Sequence, residues 1–327
     1  MRRTCILLVL LAVVVLGGPF LADALFEWGR VASVLPPEGR RVPIGEGRHL
    51  NVYERGTGTP IVLVHGWGSS AADWAELPER LAAMGHRVIV YDRAGYGFST
   101  RLEARNGNFT YASNARDLIA LLDALQIEQA TLVGWSFGGG VVQIVAVEAP
   151  ERVTALALVA STGPGQADSG ETSSLLDRIL VSPLGSSVLS WAAKVPPLSW
   201  RWTHEGLTAA FSGSQNVPTG WTIRTQAMLG LPRTSRTLSA ETARSDPNTL
   251  EPGRIRARTL VFQGSDDALV AYTVGENLDR ALPHSAFVGV VGGSHMLPVT
   301  HPDALAKGID RLAGSEYAAG QLPDGRS

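Results

Sequence analysis

Short runs of consecutive apolar residues alternate along this chain with longer stretches whose apolar positions recur three and four apart. Residues 61–64 read Ile-Val-Leu-Val, 87–91 Arg-Val-Ile-Val-Tyr, 130–133 Ala-Thr-Leu-Val and 259–262 Thr-Leu-Val-Phe, and 153–159 and 286–291 share the character. Unbroken apolar runs of this kind predict strands buried on both faces, as in parallel sheets. Between them, 111–125 places Leu118, Leu121, Leu122 and Leu125 at helical spacing. Residues 71–84 predict an amphipathic helix stopped at Gly85, and 141–149 a further helix. Ahead of these, 40–44 and 50–54 read as an antiparallel pair around a Gly45-Glu46-Gly47 turn. The alternation predicts an α/β fold with a mostly parallel central sheet flanked by helices.

The alternation fails over 163–253. Helical patterns are predicted at 174–180, 188–193, 206–211 and 219–229, with no strand, and prolines at 183, 196, 197, 218 and 232 punctuate them. Trp191, Trp200, Trp202 and Trp221 fall in this segment. They either build its own small core or line an apolar pocket. The domain reading is therefore 25–162 and 254–327 as the core, with 163–253 as a helical insertion.

Residues 1–24 stand apart. Arg2 and Arg3 precede a continuous apolar run from Cys5 to Leu16, followed by Gly17-Gly18-Pro19-Phe20-Leu21. Ala22-Asp23-Ala24 fits a signal-peptidase site, so the segment reads as a signal peptide or a membrane anchor. With its flanks it approaches the ~18–20 residues that span a bilayer, and retention is the reading adopted. The arginines keep its start in the cytoplasm, which puts the domain outside, anchored or exported.

Composition adds limits. The chain has 327 residues, 45% hydrophobic and 18% charged, with a net charge of −2, enough for a sizeable core. The absence of a basic cluster argues against nucleic acid as a partner. The one cysteine, Cys5, lies in the N-terminal run, so 25–327 has no disulfide or thiol chemistry.

Chemistry concentrates just past the predicted strands. Gly134-Trp135-Ser136-Phe137-Gly138 fits G-x-S-x-G between a strand and a helix, where a serine hydroxyl is pushed clear of the sheet. A serine needs a base to take its proton, and histidine suits that task. Of seven histidines, His295 alone lies in a glycine-rich loop after the last strand, Gly292-Gly293-Ser294-His295. A carboxylate behind the imidazole would fix its tautomer. Gln263-Gly264-Ser265-Asp266-Asp267 follows a strand, and its two aspartates are adjacent, so only one can face His295. A fourth loop, His65-Gly66-Trp67-Gly68, follows the 61–64 strand.

Serine, then aspartate, then histidine, each at a strand end, resembles the α/β-hydrolase superfamily over roughly 40–162 and 254–313. The resemblance implies a serine hydrolase with Ser136 as nucleophile and His295 as base, and it makes 163–253 an inserted α-helical cap over the site. It implies Asp267 as the acid, by the pattern Gly-x-x-Asp followed by an apolar pair, leaving Asp266 to cap the loop or the helix near Tyr272. It implies an oxyanion hole from the backbone N–H groups of Phe137 and Trp67, with His65 bracing its loop and 92–99 serving as structural support. The expected substrate is a small apolar or amphipathic acyl compound, cleaved at an ester or related bond without a metal or organic cofactor. A carbon–carbon bond hydrolase, a peptidase, a cofactor-free haloperoxidase or a small-molecule receptor with little turnover remain open. Epoxide hydrolases and haloalkane dehalogenases use an aspartate where Ser136 stands.

Overall fold

The computed structural model describes residues 39–102, 108–164, 196–231 and 233–314. Eight strands form one sheet: β1 (Arg40–Pro43), β2 (His49–Arg55), β3 (Thr59–Val64), β4 (His86–Asp92), β5 (Ala130–Trp135), β6 (Val153–Val159), β7 (Arg258–Gly264) and β8 (Ser285–Val290). Their spatial order is β1-β2-β4-β3-β5-β6-β7-β8. β2 pairs antiparallel with β1 and β4, and every other neighbour is parallel. After β3 the chain moves outward to β4, then crosses back to place β5 on the other side of β3. This reversal opens a crevice beyond the carboxyl ends of β3 and β5, where open α/β sheets carry their sites.

Side chains alternate across the pleat, so each apolar strand feeds two cores. On one face Val62, Val64, Leu132, Leu156 and Leu158 pack against α2 (Tyr111–Ala124) and α3 (Phe137–Glu148) through Leu118, Leu121, Val141 and Val145. On the other, Ile61, Leu63, Val133, Val159 and Phe262 meet α1 (Leu77–Ala83) and α9 (Pro302–Ala313) through Leu77, Leu81, Leu305 and Ile309. Both faces are covered, as the unbroken apolar runs require.

The helix expected over 71–84 is broken in two. A 3₁₀ turn, Ala71–Trp74, is capped by Ser70 and Asp73, and Ala75 at φ 50° ends it before α1. Pro78 lies in the first turn of α1, where its missing N–H costs nothing, so the proline restarts the helix. Helix α7 (Tyr272–Ala281) precedes β8, and the short α8 (Leu297–Thr300) follows the histidine loop.

Between β6 and β7 the described residues are helical: α4 (Pro196–Ala210), α5 (Trp221–Gly230) and α6 (Thr234–Arg244). The prediction over 206–211 is only the end of α4, because Pro196 and Pro197 open the helix where a break was expected. The helix over 219–229 matches α5. α6 was not expected, since its exposed face is polar and few apolar positions mark it. The helices expected at 174–180 and 188–193 lie outside the described residues, as do residues 1–38. Among the described residues no helix is long and apolar enough to cross a membrane.

Candidate active site

β5 runs straight into a forced turn. Ser136 has φ 55° and ψ −120°, and α3 begins at the next residue. Such a backbone costs a non-glycine residue about 1–3 kcal/mol and persists only when its surroundings over-determine it. Here the Ser136 N–H donates to the Val159 carbonyl at 2.9 Å, and the Ser136 carbonyl accepts from the N–H of Gly139 at 2.9 Å and of Thr162 at 3.3 Å. Two glycines make the turn possible. A Cβ on Gly134 would lie 2.5 Å from the Gly138 carbonyl, and one on Gly138 would strike the Val64 carbonyl. The first N–H groups of α3 are thus left without helical partners beside the serine.

The carboxyl end of β7 supplies the acid. The Asp267 side chain is fully buried, and its Oδ2 lies 2.9 Å from His295 Nδ1. Its Oδ1 accepts the N–H groups of Leu269 and Val270, each at 2.8 Å. Gln263, on β7, donates through Nε2 to Asp267 Oδ2 and to the Val270 carbonyl, both at 2.9 Å. An ionised carboxylate only accepts, so Nδ1 carries the proton and the lone pair of the neutral ring sits on Nε2. Trp135 fixes the histidine loop by donating from Nε1 to the His295 carbonyl at 2.9 Å. Ser136 Oγ and the His295 ring are not hydrogen-bonded to each other, an arrangement common before substrate draws a site together.

Asp266 does not reach His295. Its Oδ1 accepts from Ser265 Oγ at 2.7 Å, and its N–H donates to the Gly293 carbonyl at 2.9 Å. Nor does it cap α7, whose N-cap is Ala271 with no side-chain bond. It ties the aspartate loop to the histidine loop instead.

The loop after β3 lies against the elbow: a Cβ on Gly66 would be 3.0 Å from Ser136 Cβ. His65 is buried, with Nδ1 donating to the Gly66 carbonyl at 2.9 Å and Nε2 accepting the Arg93 N–H at 3.0 Å. Burial, together with the Arg93 charge, holds its pKa well below the usual histidine range. It is therefore a neutral brace and not a base. The Trp67 indole is half exposed and donates to the Leu238 carbonyl on α6 at 3.2 Å.

Arg93 is the hub of this side. Nε donates to the His65 carbonyl, Nη2 to the Gly66 carbonyl, each at 3.0 Å, and Nη1 to Asn114 Oδ1 at 3.1 Å. The two remaining donors reach both carboxylate oxygens of Glu241 on α6. Burial, the largest single influence, would lower the guanidinium's pKa, but the charge and hydrogen bonds of Glu241 together with Tyr96 and Tyr91 outweigh it and raise the pKa. Tyr96 OH also donates to Glu241 Oε2, at 2.6 Å. Asp92, one residue before Arg93, holds the loop's start by accepting from Ala71 N–H at 2.9 Å and Asn51 Nδ2 at 2.8 Å.

Four contributors to the site escaped the sequence reading: Trp135, Gln263, Arg93 and Glu241. An arginine in a glycine-rich loop at a strand end was a usable signal for a buried ion pair. Glu241, in a polar segment without a motif, offered none.

A strand-end serine in an elbow, with an aspartate–histidine pair across from it on an eight-stranded sheet, defines a class. The family model described as alpha/beta hydrolase fold matches residues 59–302, and the chain belongs to that family. Within it, the chain is 30% identical over 257 residues to a non-heme chloroperoxidase of Streptomyces lividans, covering 76% of this chain and 89% of that protein. It is 39% identical over 132 residues to a 2-hydroxymuconate semialdehyde hydrolase of a Pseudomonas strain, a match spanning 39% of this chain but only 45% of the relative. Among solved structures, a bacterial membrane phospholipase A superposes with a TM-score of 0.70 at 20% identity, over 97% of this chain and 100% of the other. An esterase from Exiguobacterium antarcticum superposes at 0.68 and 20% identity, over 84% and 99%. At these identities the structural likeness speaks for the fold.

Proposed function

We propose that the protein is a serine hydrolase that cleaves an ester or related acyl bond. The observation that carries this is the buried Asp267–His295 hydrogen bond, 2.9 Å long, at the strand ends beside a serine in the elbow conformation. His295 Nε2 takes the Ser136 proton as Oγ attacks the carbonyl carbon, and Asp267 stabilises the imidazolium that forms. The oxyanion is received by the backbone N–H groups of Phe137 and Trp67, and each such donor contributes about 2.7–4 kcal/mol to the transition state. His295 returns its proton to the leaving alkoxide, which leaves an acyl group on Ser136. A water, deprotonated by the same nitrogen, then releases the acid. A fluorophosphonate probe should label Ser136, and Ser136→Ala should lose both the label and on the order of 10⁶ in kcat. Undiminished labelling of that variant would overturn the assignment.

A second reading has its own support. The 39% identity to a 2-hydroxymuconate semialdehyde hydrolase favours a carbon–carbon bond hydrolase built on the same residues. Turnover of a vinylogous diketone in preference to short-chain nitrophenyl esters would select it. Binding of small molecules with no turnover of either class would select a receptor.

The inference extends to location. Arg2, Arg3 and the apolar run from Cys5 support an N-terminal anchor with the hydrolase outside the cytoplasm. Membrane fractionation with intact-mass measurement tests it, and a soluble product beginning at Leu25 would contradict retention.

A further inference from the structure

The Gly66 carbonyl and the Trp67 N–H belong to one peptide unit, and among the described residues every peptide bond is trans. A trans peptide is planar, so its C=O and N–H point in opposite directions. Whatever fixes the Gly66 oxygen therefore aims the Trp67 N–H. That oxygen accepts from His65 Nδ1 at 2.9 Å and from Arg93 Nη2 at 3.0 Å. The preceding carbonyl, of His65, accepts from Arg93 Nε at 3.0 Å. One guanidinium thus holds both peptides of the turn. Its position is set in turn by Glu241, whose side chain is fully buried and paired with it through both oxygens. Glu241 belongs to α6, in the segment inserted between β6 and β7. A second tie joins the same two parts, since Trp67 Nε1 donates to Leu238 on α6 at 3.2 Å.

We propose that Glu241 is a positioning residue of the oxyanion hole: it holds the Arg93 guanidinium on the Gly66 carbonyl and so sets the direction and the donor strength of the Trp67 N–H beside Ser136. The proposal rests on the serine-hydrolase reading and deepens it. Direction matters because a hydrogen bond weakens steeply once it bends. Strength matters because a cation on the carbonyl oxygen polarises the whole peptide, and linked hydrogen bonds reinforce one another in a low-dielectric site. The inserted helices thereby act on the chemistry through a residue that touches no reacting atom. A merely structural ion pair would change stability and leave turnover per competent site alone.

The test is Glu241→Gln, which keeps the shape and removes the charge. Competent sites are counted by endpoint labelling with a fluorophosphonate, and kcat and KM for a short-chain nitrophenyl ester are measured per labelled site. The expected result is a fall in kcat of roughly 10- to 100-fold, less than the loss of a whole donor. KM should stay within about threefold, and the midpoint of the acidic limb of the pH profile should not move, since His295 and Asp267 are untouched. Unchanged kcat per labelled site would overturn the proposal, whatever happens to the melting temperature. If the glutamine variant does not fold, the paired Arg93→Met, Glu241→Leu variant takes its place, because well-packed apolar residues can replace a buried ion pair without loss of stability. Its kcat should fall by a similar or larger factor, and full kcat per site would again refute the idea. Failure of the wild type to be labelled or to turn over the ester would instead count against the serine-hydrolase reading itself.

Discussion

At Asp267 both carboxylate oxygens are engaged by the protein: Oδ1 by two backbone N–H groups, and Oδ2 by Gln263 and His295. An amide there would present an NH₂ to donors and leave His295 in the wrong tautomer. Asp267→Asn should therefore cost as much as ~10⁴ in kcat. Asp266→Asn, at the exposed neighbour, should stay within a few-fold of wild type. The reverse ranking would mean that the wrong carboxylate has been assigned. His65 yields a pH prediction. Its folded pKa lies well below the unfolded value near 6.5, so below that pH the unfolded chain binds more protons than the folded one. The stability it contributes is complete above about pH 6.5 and is lost on acidification, at no more than about 1.4 kcal/mol per pH unit. Asp92 is shifted upward by burial, so its protonation acts in the opposite sense at lower pH, and a variant comparison isolates His65. Denaturant melts between pH 5 and 7 should show a steeper slope in wild type than in His65→Gln, and equal slopes would contradict a buried neutral histidine. At this scale, residue type and loop position were enough to single out Ser136 and His295 as candidates from the sequence alone. It did not suffice for Gln263 or Glu241, because a side chain that supports another through space leaves no pattern in its own neighbourhood.

At the scale of elements, the elbow is the most constrained feature. Gly138 has no room for a methyl group against Val64, so Gly138→Ala must separate β3 from α3 or relax the Ser136 backbone. The expected outcome is loss of fluorophosphonate labelling along with a lowered melting temperature. A variant that is labelled at the wild-type rate would show that the turn has slack. The strands were readable because burial on both faces leaves an unbroken apolar run, and α2 because its leucines recur on one face. α1 was misread because apolar spacing continues across Ala75, whose positive φ ends the turn that the Ser70–Asp73 cap begins. α6 was missed because its buried contacts are largely polar: Thr234, Thr237 and Glu241 face inward. Periodicity of apolar residues is blind to a helix held by hydrogen bonds and one ion pair.

Across the whole molecule, the chain reversal after β3 brings together groups far apart in sequence. Trp67 follows β3, Ser136 follows β5, Asp267 follows β7 and His295 follows β8, all at the same edge of the sheet. The inserted helices close on that edge through Trp67–Leu238, Arg93–Glu241 and an Arg224–Asp73 ion pair of 2.5 Å. Order of motifs along the chain was enough to foresee this assembly, because strand ends in a parallel sheet share one side. The way the insertion grips it was not foreseeable, because helix packing depends on contacts that no local pattern encodes. Everything proposed for this site depends on acyl transfer passing through Ser136. Its most direct test is rapid quenching of the protein with a short-chain nitrophenyl ester, followed by mass measurement of the peptide that contains Ser136. One acyl group per site is expected on that peptide within the first turnover, absent from Ser136→Ala. Turnover at the wild-type rate with no acylated serine at any time would contradict it.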